Sequence, residues 1–130
     1  MKIFLICPVR IDTFDEKVVA EQAAIETYVK KLEDEGYTVH WPKRDTEQND
    51  PSGGYEICRT NFDAMLNSDQ IHIWYNEKSG GSKFDMGGLF MLVEMLNYDE
   101  IEVIIANRDE ATKLDKHDTS FLKVIKHIAG

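Results

Sequence analysis

No CxxC pair, no HExxH, no GxGxxG and no GxxxxGK[ST] occurs anywhere in this sequence. These gaps exclude a paired-thiol redox centre, a zincin-type metal helix, a dinucleotide fingerprint and a P-loop. Only two cysteines are present, Cys7 and Cys58. Their plain reading is two buried thiols in a reducing compartment. The four histidines, His40, His72, His117 and His127, are scattered and form no metal-ligand cluster. No apolar run approaches the roughly 20 residues of a membrane span. The chain opens on a strand-like segment without a cleavage-site pattern, so neither a membrane partner nor a signal peptide is expected, and a cytoplasmic location is. Basic residues are in deficit, 15 against 24 acidic ones, for a net charge of −9. Such a surface repels phosphate backbones, which argues against a nucleic-acid partner. It leaves room for a small anion in a local positive pocket.

What is present is an alternation of strand and helix patterns. The 130 residues have the size of one domain that buries its own core. Lys2 to Cys7 is a short run of branched and apolar residues stopped by Pro8, a buried first strand. Val18, Ile25, Val29 and Leu32 recur at helical spacing from Asp15 to Glu35, with Thr13 and Glu16 as a T-x-x-E capping box and Gly36 as the C′ residue. Tyr37 to Trp41 reads as a second strand, and Pro42 to Ser52 as a loop. Tyr55, Cys58, Phe62 and Met65 mark a second helix ending near Asn67. Gln70 to Tyr75 is a third strand, Asn76 to Ser82 a glycine-rich loop, and Lys83 to Asn97 a third helix. Ile101 to Ala106 is a fourth strand, Asn107 to Lys116 a polar loop, and Phe121, Val124, Ile125 and Ile128 a last helix capped by Asp118 or Thr119. Repeated βα units predict a three-layer α/β domain, flavodoxin-like or Rossmann-like. They imply a parallel sheet of about four strands in order 2-1-3-4 with helices on both faces. The third helix is apolar on nearly every side, which favours a subunit interface and a homo-oligomer.

Open parallel sheets bind ligands beyond the carboxyl ends of their strands, where the strand order reverses. That point falls between strands one and three. The loop after strand one offers Arg10 and Asp12. The loop after strand three offers Asn76, Glu77, Lys78, Ser79, Gly80, Gly81 and Ser82, and then enters a helix. Glycines before a helix bring backbone N–H groups close to a ligand, the helix end adds positive potential, and Arg10 adds a permanent charge. Together they describe an anion site of the kind that holds a phosphate. Asp85 has two readings. With Ser82 as N-cap it is N3 and serves the cap and the helix dipole. As a carboxylate at the mouth of the site, it could attack or stabilise an anomeric carbon. Tyr75 could stack on a base, though core packing is its plainer reading, and Trp41 could cover a base, with loop surface as its plainer reading. Glu77 could act as a general acid–base group.

The segment Asp69 to Gly87, DQIHIWYNEKSGGSKFDMG, resembles the signature of the nucleoside 2-deoxyribosyltransferase superfamily. The closest pattern is that of its 2′-deoxynucleoside 5′-monophosphate N-glycosidases. Asp69, Gly81, Phe84, Asp85, Met86 and Gly87 fit without a gap, and IFLICPVR is similar to the family's first strand and G-S-I-R turn. The resemblance implies that Asp85 is the nucleophile, that Ser79 and Arg10 hold a phosphate, that Gly81 lets the backbone approach and that Asp69 has an orienting role. It implies a nucleotide or nucleoside as substrate, a homodimer or larger assembly, and no metal or cofactor. Three positions depart from the family: Asp85 replaces a glutamate, Pro8 a serine, and Asn61 a frequent aspartate. The shorter acid withdraws its carboxylate by roughly 1.5 Å, one C–C bond. The alternative to catalysis is a nucleotide- or metabolite-binding module of the same fold.

Overall fold

In a computed structural model, the residues described are 1–11, 13–98, 100–114 and 121–130. Strands β1 (Lys2–Ile6), β2 (Thr38–His40), β3 (Gln70–Ile73) and β4 (Glu102–Ile105) form one parallel sheet in the order β2-β1-β3-β4. Successive side chains alternate between its faces. Phe4, Ile6, Ile71 and Ile73 point to one face, under Met65 of α3 (Tyr55–Leu66), Met86 and Leu89 of α4 (Gly80–Phe90), and Leu122 and Ile125 of α6 (Phe121–Ala129). Ile3, Leu5 and Val39 point to the other, under Ile25, Val29 and Leu32 of α1 (Glu16–Asp34). The result is the expected three-layer α/β arrangement. Each of these buried apolar side chains contributes about 1.5–3 kcal/mol by leaving water.

Asp69 fastens the amino ends of three strands. Its N–H donates to Lys2 O at 2.8 Å, its Oδ2 accepts from Lys2 N–H at 2.8 Å, and its carbonyl accepts from Glu102 N–H at 3.2 Å. That edge is opposite to the one where parallel sheets bind ligands, so Asp69 orients strands and not the site.

Several boundaries differ from the sequence expectation. Asp15, not Thr13, caps α1: its Oδ1 accepts from the N–H groups of Lys17 and Val18, while Thr13 Oγ1 accepts from Asp15 N–H. Gly36 follows α1 at φ +98°, as a C′ residue does. Within the expected loop after β2, Pro42–Asp45 form one helical turn, α2, with proline at its start and Asp45 Oδ2 accepting from Trp41 N–H at 2.8 Å. Arg108–Leu114, expected as loop, form α5, which anchors through the buried Ala111. Beyond Phe90 the third helix widens to a π-helical turn, Met91–Met95, where Leu96 N–H reaches Met91 O at 2.9 Å. Asp118 and Thr119, the expected caps of α6, lie outside the described residues.

Helix α4 packs one side inward through Met86 and Leu89 and leaves Phe84 (59% exposed), Phe90 and, beyond it, Met91 and Met95 open to solvent. Gly88 faces α3 so closely that a Cβ there would stand 1.8 Å from Phe62 Cε1. No helix among the described residues is long and apolar enough to cross a membrane.

Candidate functional site

A cavity of about 390 Å³ opens at the carboxyl ends of β1 and β3, the reversal point of the strand order. Both loops named from the sequence reach it. Cys7, Pro8, Val9 and Arg10 come from the end of β1, and Asn76, Lys78, Ser79, Gly80 and Gly81 from the β3–α4 connection. Pro8 is held by its carbonyl, which accepts from Gln22 Nε2 on α1 at 3.0 Å. Arg10 is exposed at the rim and forms no ion pair among the described residues. Asp12 lies outside the described residues.

The start of α4 is set by Ser79 rather than Ser82. Ser79 Oγ accepts from Ser82 N–H at 3.2 Å and pairs with Ser82 Oγ at 2.8 Å, while Ser79 O accepts from Lys83 N–H at 3.1 Å. Gly80 and Gly81 are therefore the first helical residues, and no described acceptor takes their N–H groups. An anion at this end of the cavity would meet two free amides in the positive end of an 11-residue helix, with Arg10 and Lys78 nearby. Ser82 itself is buried, serves the cap and does not line the cavity. Ser79 lines it, with its hydroxyl engaged inside the cap.

The revised helix start moves Asp85 one turn deeper than N3, beyond the reach of a capping role. It is 7% exposed and lines the cavity. No donor among the described residues reaches its carboxylate, and burial alone pushes its pKa up to about 7. The carboxylate also acts on its neighbours. The Cys7 thiol at the same wall is pushed up to about 12, chiefly by burial and then by the charge of Asp85. Cys58 on α3 is raised by the same two causes in the same order.

Two amides line the cavity on the side of β2 and α3. Gln48 Nε2 donates to Pro42 O at 2.8 Å and Thr46 O at 3.0 Å, which leaves its Oε1 without a donor among the described residues. Asn61 is buried, and its Oδ1 accepts from Thr46 Oγ1 at 2.7 Å, which leaves its Nδ2 without a described acceptor. Thr46 Oγ1 in turn pairs with His40 Nε2 at 2.8 Å. With its hydroxyl hydrogen spent on Asn61, Thr46 accepts there, so His40 carries a proton on Nε2. Burial lowers the His40 pKa, and the ring stacks on Phe4 at 5.3 Å. The wall thus offers one free acceptor and one free donor, each on an amide anchored at its other end.

Helix α1 contributes Glu21 to the same lining. Asn76 Nδ2 donates to Glu21 Oε1 at 3.0 Å and Oε2 at 3.2 Å, Trp74 Nε1 donates to Oε2 at 3.4 Å, and Asn76 Oδ1 is fixed by Lys78 N–H at 2.9 Å.

The remaining expected residues are elsewhere. Trp41 is buried with Leu5 and Val39, and its indole N–H has no acceptor in hydrogen-bonding geometry. Tyr75 is buried in the opposite cluster, and the Asn107 side chain clamps its backbone, accepting from its N–H at 2.8 Å and donating to its carbonyl at 3.0 Å. Neither lines the cavity, and neither does the exposed Glu77. Strand alternation explains the two aromatics, which continue β2 and β3 on their core-facing registers. Gln48, Asn61 and Glu21 went unrecognised as site residues in the sequence because three separate elements bring them together. Among the described residues no group of His, Cys, Asp and Glu could hold a metal ion.

No family model, no curated protein and no solved structure matches this chain.

Proposed function

We propose that this chain acts on the N-glycosidic bond of a nucleotide or nucleoside, as a hydrolase or transferase, with Asp85 as its carboxylate nucleophile. The observation that carries the reading is the state of Asp85: a desolvated, unpartnered carboxyl on the wall of a cavity whose other end is built for an anion. Such a group stabilises the positive charge that develops on an anomeric carbon. The C1′–N bond breaks with its electron pair on the base, which takes up a proton. An oxygen of Asp85 bonds to C1′, and water or a second base then displaces it, regenerating the carboxylate. A 5′-phosphate lies on the amides of Gly80 and Gly81 with Arg10. The base lies towards Gln48 and Asn61, whose free acceptor and donor suit an edge that offers one donor and one acceptor. The reading agrees with the resemblance to the nucleoside 2-deoxyribosyltransferase superfamily. The exposed apolar side chains Phe84, Phe90, Met91 and Met95 are the surface a homodimer of this kind would cover.

A second reading, a nucleotide-binding module without turnover, is favoured by two observations. Asp85 is shorter than the family's glutamate, and the Ser79 hydroxyl is engaged with Ser82. A displacement of about 1 Å costs on the order of 100-fold in rate.

The test is release of free base from a panel of ribo- and deoxynucleosides and their 5′-monophosphates, with Asp85→Asn run beside the native chain. The nucleophile reading expects release by the native chain and a loss of roughly 100-fold or more in the variant. It also expects the rate to rise with pH up to about 7 and then level, because the ionised carboxylate attacks. Equal release by both proteins, or none by either, refutes it. Thermal stabilisation by a nucleotide without release supports the binding module.

A further inference from the structure

We infer that Glu21 is a sugar-binding residue and that the site selects a ribosyl ring, with its 2′,3′-hydroxyl pair, over a 2′-deoxyribosyl ring. The inference rests on the proposed placement of anion, anomeric carbon and base, and deepens it.

Those three groups occupy three parts of the cavity. The anion takes the start of α4, the anomeric carbon faces Asp85 one turn further along that helix, and the base takes the wall of Gln48 and Asn61. The sugar is left between them, and among the lining residues not yet assigned, which include Cys7, Pro8 and Val9 of the β1 loop and Val18 and Glu21 of α1, Glu21 alone carries a charged side chain able to accept from hydroxyls. Val18 offers no polar atom. Glu21 offers a carboxylate, and its position is fixed.

The fixing is specific. Asn76 presents Nδ2 to both oxygens of Glu21 because its own Oδ1 is taken by Lys78 N–H, and Trp74 Nε1 adds a longer contact to Oε2. These contacts involve two N–H-bearing groups, whereas an ionised carboxylate has about four lone-pair sites. Capacity remains for hydroxyl donors. A carboxylate held at a fixed angle is a group that reads ribose hydroxyls in other nucleotide sites. The other ionised group of that kind in the cavity, Asp85, is committed to the anomeric carbon. A 2′-deoxy ring keeps the contacts from Asn76 and Trp74 but forgoes one hydrogen bond from a sugar hydroxyl to the charged carboxylate, and this sets the preference.

The experiment measures binding of ribose 5-phosphate and 2-deoxyribose 5-phosphate to the intact chain by calorimetry, for the native protein, Glu21→Gln and Glu21→Ala. Neither probe has a glycosidic base, so the reading does not depend on turnover. The native chain is expected to bind ribose 5-phosphate roughly tenfold to hundredfold more tightly, the worth of one hydrogen bond to a charged group. Both variants are expected to lose that ratio. The ratio is taken within one sample, so a partly folded variant does not mimic the result. Equal binding of the two sugars by the native chain overturns the inference, as does a ratio that survives in both variants or the binding of neither sugar. The two readings fail separately. A Glu21-dependent ribose preference without base release from any nucleotide sinks the glycosidase reading alone. Asp85-dependent release with equal sugar affinities sinks only the role of Glu21.

Discussion

Replacing Asp85 with asparagine should make the protein more stable, and by an amount that depends on pH. The carboxyl titrates at about 7 in the fold against an ordinary value of 3.8, and burial is the cause. The folded state therefore holds a proton that the unfolded chain releases at lower pH. The stabilisation from that proton is complete below pH 3.8 and is lost as pH rises from there to about 7, above which the full cost of a buried charge remains. From the two pKa values, the cost is less than about 1 kcal/mol at pH 4 and rises to about 3–4 kcal/mol between pH 6 and pH 8. Asparagine is close in shape and carries no charge, so the variant escapes the whole of it. Urea unfolding of both proteins from pH 4 to pH 8 measures the difference directly. The variant should gain over the native chain steadily with pH and then hold constant above about pH 7. A difference that does not change over this range would refute the reasoning, because it would mean that the carboxylate is solvated or paired in the fold.

Two further outcomes follow from packing and burial. Gly88→Ala should destabilise the chain by roughly 1–3 kcal/mol in the same unfolding assay, because the added methyl group collides with the Phe62 ring and α3 must shift from α4; an unchanged midpoint would mean that the ring simply rotates away. Cys7, raised to about 12, should resist a thiol reagent at pH 8 in the native chain and react only on unfolding, as the half-buried Cys58 reacts first; mass spectrometry of the labelled peptides reads the order.

The sheet was legible in the sequence because β1 is a short apolar run buried on both faces and β2, β3 and β4 are short segments rich in branched and aromatic residues between helical patterns. That they run parallel follows from the repeated βα units. Short helices were not legible. Seven residues of α5 bury only Ala111 among those whose side chains are described, which is too little to display a period. The turn at Pro42–Asp45 is likewise fixed by one proline and one carboxylate. The start of α4 was displaced by glycine, which disfavours helix interiors and so argues for a loop. At the first two helical positions that penalty is outweighed by the cap from Ser79. This shift changes the chemistry most, since it removes Asp85 from the cap and leaves it without a partner. Arg10, Ser79, Gly80, Gly81, Asn76 and Asp85 could be named from two loops because ligands bind at a known place on such sheets. Gln48, Asn61 and Glu21 could not. Asn61 showed only as a departure from a family pattern, and the polar atoms that make all three useful are left open by hydrogen bonds that a linear pattern does not display.

Strand β1 sits in the middle of the sheet, and its two partners arrive at very different times. A chain growing from its amino end can pair Lys2–Ile6 with β2 early, but Ile3 meets Gln70 only after the whole of α3 has been made. Until then one long edge of an apolar five-residue segment stands open, an invitation to intermolecular pairing. The β1–β3 pairing is therefore the most distant along the chain that the sheet has to close, and helper proteins that shield nascent strands would have most to do before it forms.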